Sequence, residues 1–257
     1  MNQKSEPDII ESFYTENYIL GGRVLLRQPK KGFRVSIDSI FLAAAVPALE
    51  NETVLDVGSG IGTAALCLAT RANNIKVSAI EILKENVKYA AENIKLNQMQ
   101  NRVEILHGNL TKAPPRLAAG TFSHVMANPP FFDANEGRLS PIEQKKMANH
   151  EISADFEQWA KFCYLMVRPK GTITFIHRAD RLDQILSYFY GKLGDIIVYP
   201  LWPMKGRQAK RVIVQGVRNS MGTMTLSPGL ILHNESNGSF TTEADEILRH
   251  AKSLNLQ

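Results

Sequence analysis

The chain has only two cysteines in 257 residues, Cys67 and Cys163, and neither belongs to a CxxC or a Cys/His cluster. That excludes a disulfide framework and a zinc site, and leaves two buried thiols in a reducing compartment. No apolar run reaches the ~20 residues needed to cross a bilayer. The best candidate, Ile40 to Leu49, is too short and contains Pro47. The first residues, Met1 to Pro7, are polar and carry no signal-peptide apolar segment. Internal repeats and low-complexity linkers are also missing. These absences describe a soluble cytoplasmic protein with no metal and no membrane partner.

Hydrophobic residues make up 44% of the chain and charged residues 21%, as in a globular protein. The length suits one α/β domain with a substantial core. The net charge of +5 permits nucleic-acid binding without showing it. Basic residues collect at Arg27, Lys30, Lys31 and Arg34, at Lys145-Lys146, and across Lys205 to Arg211. Each cluster alone reads better as a solvated face.

Strand and helix signals alternate from residue 53 onward. Thr53 to Val57, Lys76 to Ile80, Val103 to Leu106, Phe122 to Ala127 and Thr172 to His177 have strand character. Between them, helices are expected at Thr63 to Arg71, Lys84 to Asn97 (apolar stripe Val87, Ala90, Ala91, Ile94), from Asp155 to a stop at Arg168-Gly171, and at Leu182 to Tyr190. Ile196 to Tyr199 and Val212 to Val217 are late strands. This order predicts an α/β fold with a mostly parallel sheet covered on both faces. Residues 1–50 form an arm packed on the catalytic unit of residues 51–257: a hairpin, then a helix Ser39 to Leu49 capped by Asp38. Residues 132–154 form a polar connection expected to face the substrate.

The most informative stretch is Asn128-Pro129-Pro130-Phe131. Proline donates no ladder hydrogen bond, and a residue before proline is held extended. The strand must stop there, on a stiff backbone that presents the Asn128 amide oxygen, the Pro129 carbonyl and the Phe131 ring. Two acceptors and a stacking face suit a planar group bearing an NH2. Asn-Pro is also a common turn opener, so the motif alone is compatible with a rigid turn.

Upstream features favour the amine pocket. The first strand leads into Asp56-Val57-Gly58-Ser59-Gly60-Ile61-Gly62-Thr63. A dinucleotide fingerprint would need glycine or alanine at position 63, and a P-loop would need Gly-Lys-Ser/Thr. Neither is present. Asp56 at the loop mouth would repel a pyrophosphate and suits a cation, such as the sulfonium or amino group of S-adenosylmethionine. The following helix N-terminus can take the carboxylate of that cofactor. Glu81 closes the second strand, where an acid grips ribose hydroxyls, with Ile82 after it. Asn109 and Leu110 follow the third strand, where an amide could read the adenine edge, or where Asn109 could merely cap Thr111 onward.

The loop, Glu81, Asn109 and Asn128-Pro129-Pro130-Phe131 together resemble the motif series of class I S-adenosylmethionine-dependent methyltransferases. Gly32-Phe33-Arg34-Val35-Ser36-Ile37-Asp38-Ser39, Ala148-Asn149-His150-Glu151 and Gly206-Arg207-Gln208-Ala209-Lys210-Arg211 further resemble the bacterial tRNA(Val) (adenine-N6)-methyltransferase family, which modifies adenosine 37 beside the anticodon. Many of its members have tyrosine where Phe131 stands. The resemblance implies a Rossmann-like seven-stranded sheet with a late antiparallel hairpin. It implies methyl transfer to adenine N6 of a tRNA loop, with Asn128, Pro129, Pro130 and Phe131 catalytic. It adds Asp38 to the cofactor-binding residues Asp56, Gly58, Gly60, Gly62, Glu81, Ile82, Asn109, Leu110 and Asn128. It makes Arg34, Phe131, Arg207, Lys210 and Arg211 the substrate contacts. Stacking on Phe131 would contribute ~1–3 kcal/mol, while His150 and Glu151 would order the 132–154 segment. Guanine-N2 methylation of rRNA, glutamine-N5 methylation of a protein, and a non-catalytic RNA-binding role on the same fold are the alternatives.

Overall fold

The computed structural model describes residues 14–30, 35–112, 114–130, 154–235 and 237–257. Strands β1 (Tyr14–Ile19) and β2 (Val24–Pro29) form an antiparallel hairpin, as expected. Helix α1 spans Ile37–Ala45, and here the expectation fails at both ends. Ser36 occupies the cap position and Asp38 lies in the first turn. At the other end, Val46 precedes Pro47 and is forced extended (φ −71°, ψ 122°), so the helix cannot reach Leu49.

The alternating part then follows: β3 (Thr53–Val57), α2 (Thr63–Arg71), β4 (Lys76–Glu81), α3 (Lys84–Leu96), β5 (Val103–His107) and β6 (Phe122–Ala127). All six residues of β6 are buried, as in a parallel strand covered on both faces. In α3 the expected stripe is wrong in part: Ala91 is exposed, and Asn86 and Asn93 are buried instead. Helix α4 (Phe156–Met166) starts at a capping box in which Asp155 accepts from Gln158 N.

β7 runs from Val167 to Arg178, so the segment expected to separate helix from strand lies within the strand. There the register jumps: Phe122 pairs with Val167 but His124 with Thr172, and Lys170 takes φ +63° to absorb the extra residues. After β7 come α5 (Leu182–Phe189), β8 (Leu193–Trp202), β9 (Arg211–Arg218), the two-residue strands β10 (Thr225–Leu226) and β11 (Leu230–Ile231), and α6 (Thr242–His250).

The main sheet has nine strands in the order β10-β8-β9-β7-β6-β3-β4-β5, with β11 also beside β8. The two extra strands lengthen the expected seven-stranded sheet at the β8 edge. β9 is antiparallel to both β7 and β8, as the resemblance implied. One face of the core is filled by α1, α2, α6 and the hairpin residues Val24 and Leu26. The other is filled by α4 and α5, through Trp159, Cys163, Ile185 and Phe189.

Candidate functional site

Parallel register brings the expected residues to one edge of the sheet. Val57, the last residue of β3, pairs with Ile80 of β4 on one side and Ala127 of β6 on the other. Glu81 pairs with His107 of β5. The chain runs outward from β3 through β4 to β5, then returns to the other side of β3 as β6. Strand order therefore reverses between β3 and β6, where open α/β sheets hold ligands beyond their carboxyl ends. Gly58 and Asn128 are the first residues past this crevice.

The glycine loop is folded tightly over it. Gly58 N donates to Ile80 O at 2.9 Å, and Gly62 N to Ser59 O at 2.9 Å. Gly58 has φ +68°, and a Cβ there would collide with the Trp159 indole. Both constraints demand glycine. Trp159, which the sequence reading placed only on a core stripe, thus backs the loop. Gly62 supplies no capping side chain at the start of α2; the Ala65 N–H of its first turn meets Asp56, and the positive end of the helix dipole faces the loop.

Glu81 is buried and holds this loop. Its Oε2 accepts from Gly60 N at 2.9 Å, and its Oε1 from Leu83 N at 2.8 Å. Burial raises its pKa, against the N–H groups of Leu83, Gly60 and Ile82 and the Asn86 amide. Asp56 lies deeper than the loop mouth expected for it, 2% exposed. Burial pushes its pKa up to about 7, and Glu81 adds to the rise, while the Ala65 N–H opposes it.

Four buried side-chain atoms around this crevice have no hydrogen-bond partner among the described residues: Asp56 Oδ2, Ser59 Oγ, Thr63 Oγ1 and Asn128 Oδ1. A buried polar atom left unpaired costs ~1–3 kcal/mol, so such a cluster signals a missing ligand. A carboxylate that can charge, two hydroxyls, the start of a helix and a strand-end acid fit the amine, carboxylate and ribose of S-adenosylmethionine.

Other expected residues are placed differently. Asn109 Oδ1 accepts from Thr111 N and Thr111 Oγ1, both at 2.9 Å, so its carbonyl closes a local turn. Asp38 is buried and its Oδ2 accepts from Arg211 Nε at 2.9 Å, tying α1 to β9. Arg207 and Lys210 are exposed in the β8–β9 connection. That connection lies at the same sheet edge, because Arg178 at the end of β7 pairs with Arg211. Pro129 is buried and Pro130 exposed. Phe131, Arg34, Lys145, Lys146, His150, Glu151 and the 132–154 expectation, save Ala154, lie outside the described residues.

The sequence reading missed His177. Since Phe175 pairs with Ala127, His177 stands level with Pro129 on the adjacent strand. Its ring meets Phe156 edge-on, centroids 5.9 Å apart, and burial pushes its pKa down to about 4. Its signal was a histidine two residues past a paired strand position, which needs register to interpret.

Residues 33–148 match the methyltransferase small domain model. The chain is 27% identical over 155 residues to tRNA1(Val) (adenine(37)-N6)-methyltransferase of Dyadobacter fermentans, covering 60% of this chain and 62% of that protein. It is 29% identical over 145 residues to the enzyme of that name from Aliivibrio salmonicida, covering 56% and 60%. Both matches span somewhat less than two thirds of the relatives' length. Among solved structures, a predicted O-methyltransferase from Agrobacterium tumefaciens superposes with TM-score 0.70 at 21% identity, covering 86% of this chain and 99% of that one. M. jannaschii TYW2 in complex with AdoMet gives TM-score 0.56 at 18% identity, covering 80% and 86%. The fold is that of the class I methyltransferases.

Proposed function

We propose that this chain is a cytoplasmic S-adenosylmethionine-dependent methyltransferase that acts on adenine N6 in tRNA, at adenosine 37 beside the anticodon. The observation that carries the reading is Asn128 Oδ1: buried, unpartnered among the described residues, and placed by β6 beside the glycine loop. The names of the relatives supply the substrate.

The cofactor, when bound, supplies an electrophilic methyl group. Glu81 would hold its ribose, Asp56 its amino group, and the start of α2 its carboxylate. Asn128 Oδ1 and the Pro129 carbonyl would accept the two N–H bonds of the target amine. That draws its lone pair out of the ring and orients it. The methylated nitrogen becomes acidic and releases its proton late, so no strong base is needed. Trp159 and the buried face of β6 keep water out. Rate enhancement would then come mostly from alignment and fixed dipoles.

The basic groups Lys205, Arg207 and Lys210 lie in the connection that leads into β9, a strand two spacings, about 10 Å, from β6. They suit the phosphates of a loop whose base has been turned out. Binding through them would weaken steeply with salt.

Incubation with labelled S-adenosylmethionine and either total tRNA, total rRNA or protein, followed by nucleoside mass spectrometry, tests the reading. N6-methyladenosine in tRNA is expected, and label confined to protein sinks it. In Asn128→Ala, turnover should fall by ~10²–10³ with cofactor affinity kept. Undiminished turnover would remove Asn128 from the mechanism.

A further inference from the structure

Asn93 joins two regions that are far apart in sequence. It lies in α3 and is 0% exposed. Its Oδ1 accepts from Arg27 N at 2.7 Å, and its Nδ2 donates to Arg27 O at 3.0 Å and to Ile61 O at 3.1 Å. One turn later, Asn97 treats Leu25 in the same way: Oδ1 accepts from Leu25 N at 2.9 Å, and Nδ2 donates to Leu25 O at 2.7 Å. Two amides spaced four residues apart on a helix face one way. Here they satisfy the open edge of β2 as a neighbouring strand would.

The two asparagines differ in their third partner. Asn97 Nδ2 returns to Asn93 O within its own helix, at 2.8 Å. Asn93 reaches the carbonyl of Ile61, between Gly60 and Gly62 of the loop. The neighbouring group, Gly60 N, is held by Glu81. Consecutive residues of the loop are thus held by two different elements, one by a strand-end acid and one by a helix-interior asparagine. Asparagine is a poor helix former, and the buried α3 face would otherwise favour an apolar side chain. Both of its amide hydrogens are used, and its oxygen is also occupied.

We infer that Asn93 is a positioning residue for the cofactor loop, acting from a helix that also holds the β1–β2 hairpin. This rests on the S-adenosylmethionine reading above. Asn93 does not touch the ligand. It sets the plane of the Ile61–Gly62 peptide, which leads into the start of α2. Three glycines with positive φ leave that loop many alternatives in the absence of an external restraint. Asn97 holds the hairpin but not the loop, which makes it the internal control.

The test is calorimetric titration of the full chain with S-adenosylhomocysteine, alongside thermal melting without ligand, for Asn93→Ala and Asn97→Ala. Both variants should melt earlier. Asn93→Ala should bind about fivefold to tenfold more weakly, the effect of one lost hydrogen bond, while Asn97→Ala stays within twofold of the unaltered chain. Amide exchange at Gly60 to Thr63 should quicken only in Asn93→Ala. Equal losses in the two variants, or no loss in Asn93→Ala, would overturn the inference. If Asn93→Ala does not fold, Asn93→Ser carries the same comparison. No binding by the unaltered chain would instead bring down the cofactor reading, and this inference with it.

Discussion

Two polar clusters at opposite edges of the sheet are satisfied to different degrees. At the amino edge, His124 Nε2 lies 2.7 Å from Glu52 Oε2, and His124 Nδ1 lies 2.7 Å from Thr172 Oγ1. Glu52 also accepts from Leu49 N at 2.9 Å and from Arg168 at 3.0 Å. Burial lowers the pKa of His124 despite Glu52, so the imidazole is neutral near pH 7. It then donates to the carboxylate and accepts from the threonine. Burial would raise Glu52, but Leu49 N–H, His124 and Arg168 outweigh it and leave its pKa lowered. At the carboxyl edge, Asp56, Ser59, Thr63 and Asn128 each leave an atom unpaired among the described residues. A saturated network ties strands together, while an unsaturated one has capacity left for a ligand. Locally unfavourable choices that persist in a folded chain tend to mark function.

The largest test of this contrast is Glu81→Gln. Its amide presents a donor to the N–H of Gly60 or Leu83 and loses the charge. S-adenosylhomocysteine should bind ~10–100-fold more weakly, the scale of a charged hydrogen bond, in calorimetry. Unchanged affinity would mean that this edge does not hold the cofactor.

The amino edge should respond in stability instead. Glu52→Ala strands His124 and Arg168 and should cost ~1–3 kcal/mol, read as a lower urea midpoint. Turnover per folded molecule should stay unchanged. A turnover loss at full stability would place function at the wrong edge.

The smallest effect expected is a change in pH dependence. In the ligand-free chain, the pKa of Asp56 is raised from 3.8 to about 7. Its contribution to stability is complete below 3.8 and is lost as pH rises through about 7. His124 has the opposite sign: its folded pKa lies below 6.5, so its contribution is present above 6.5 and fades as pH falls. Asp56→Asn should therefore flatten the decline in urea midpoint between pH 5 and pH 8. A decline of the same slope in both proteins would show that Asp56 is charged in the free protein.

Much of the fold was legible because its signals are local. The α2 boundaries follow from Gly62 before the helix and from the apolar run after it. β6 ends where Asn128 meets Pro129, a purely covalent reason. Asp155 announced α4 through its own capping geometry. Failures came where a distant partner decided. Asp38 looks like a helix cap, but its carboxylate has Arg211 to meet, 173 residues away. Ala91 fits the apolar stripe of α3, yet Asn93 is buried in its place because the β2 edge and the Ile61 carbonyl lie against it. Turn residues at Arg168-Gly171 suggested a break, but β6 continues to pair beyond it and draws the segment into β7.

By itself, the order of residues determined the alternation of strand and helix, the glycine loop, the strand-end acid and the proline stop at Asn128. Each depends on periodicity, on proline and glycine dihedrals, or on side-chain type within a few residues. Only the tertiary structure decided which of these meet. Parallel register brought Gly58, Glu81 and Asn128 to one edge, and left four of the buried polar atoms there unpaired among the described residues. Pairing between distant strands, and burial from both faces of a sheet, are properties of the assembled fold that no local window of sequence contains.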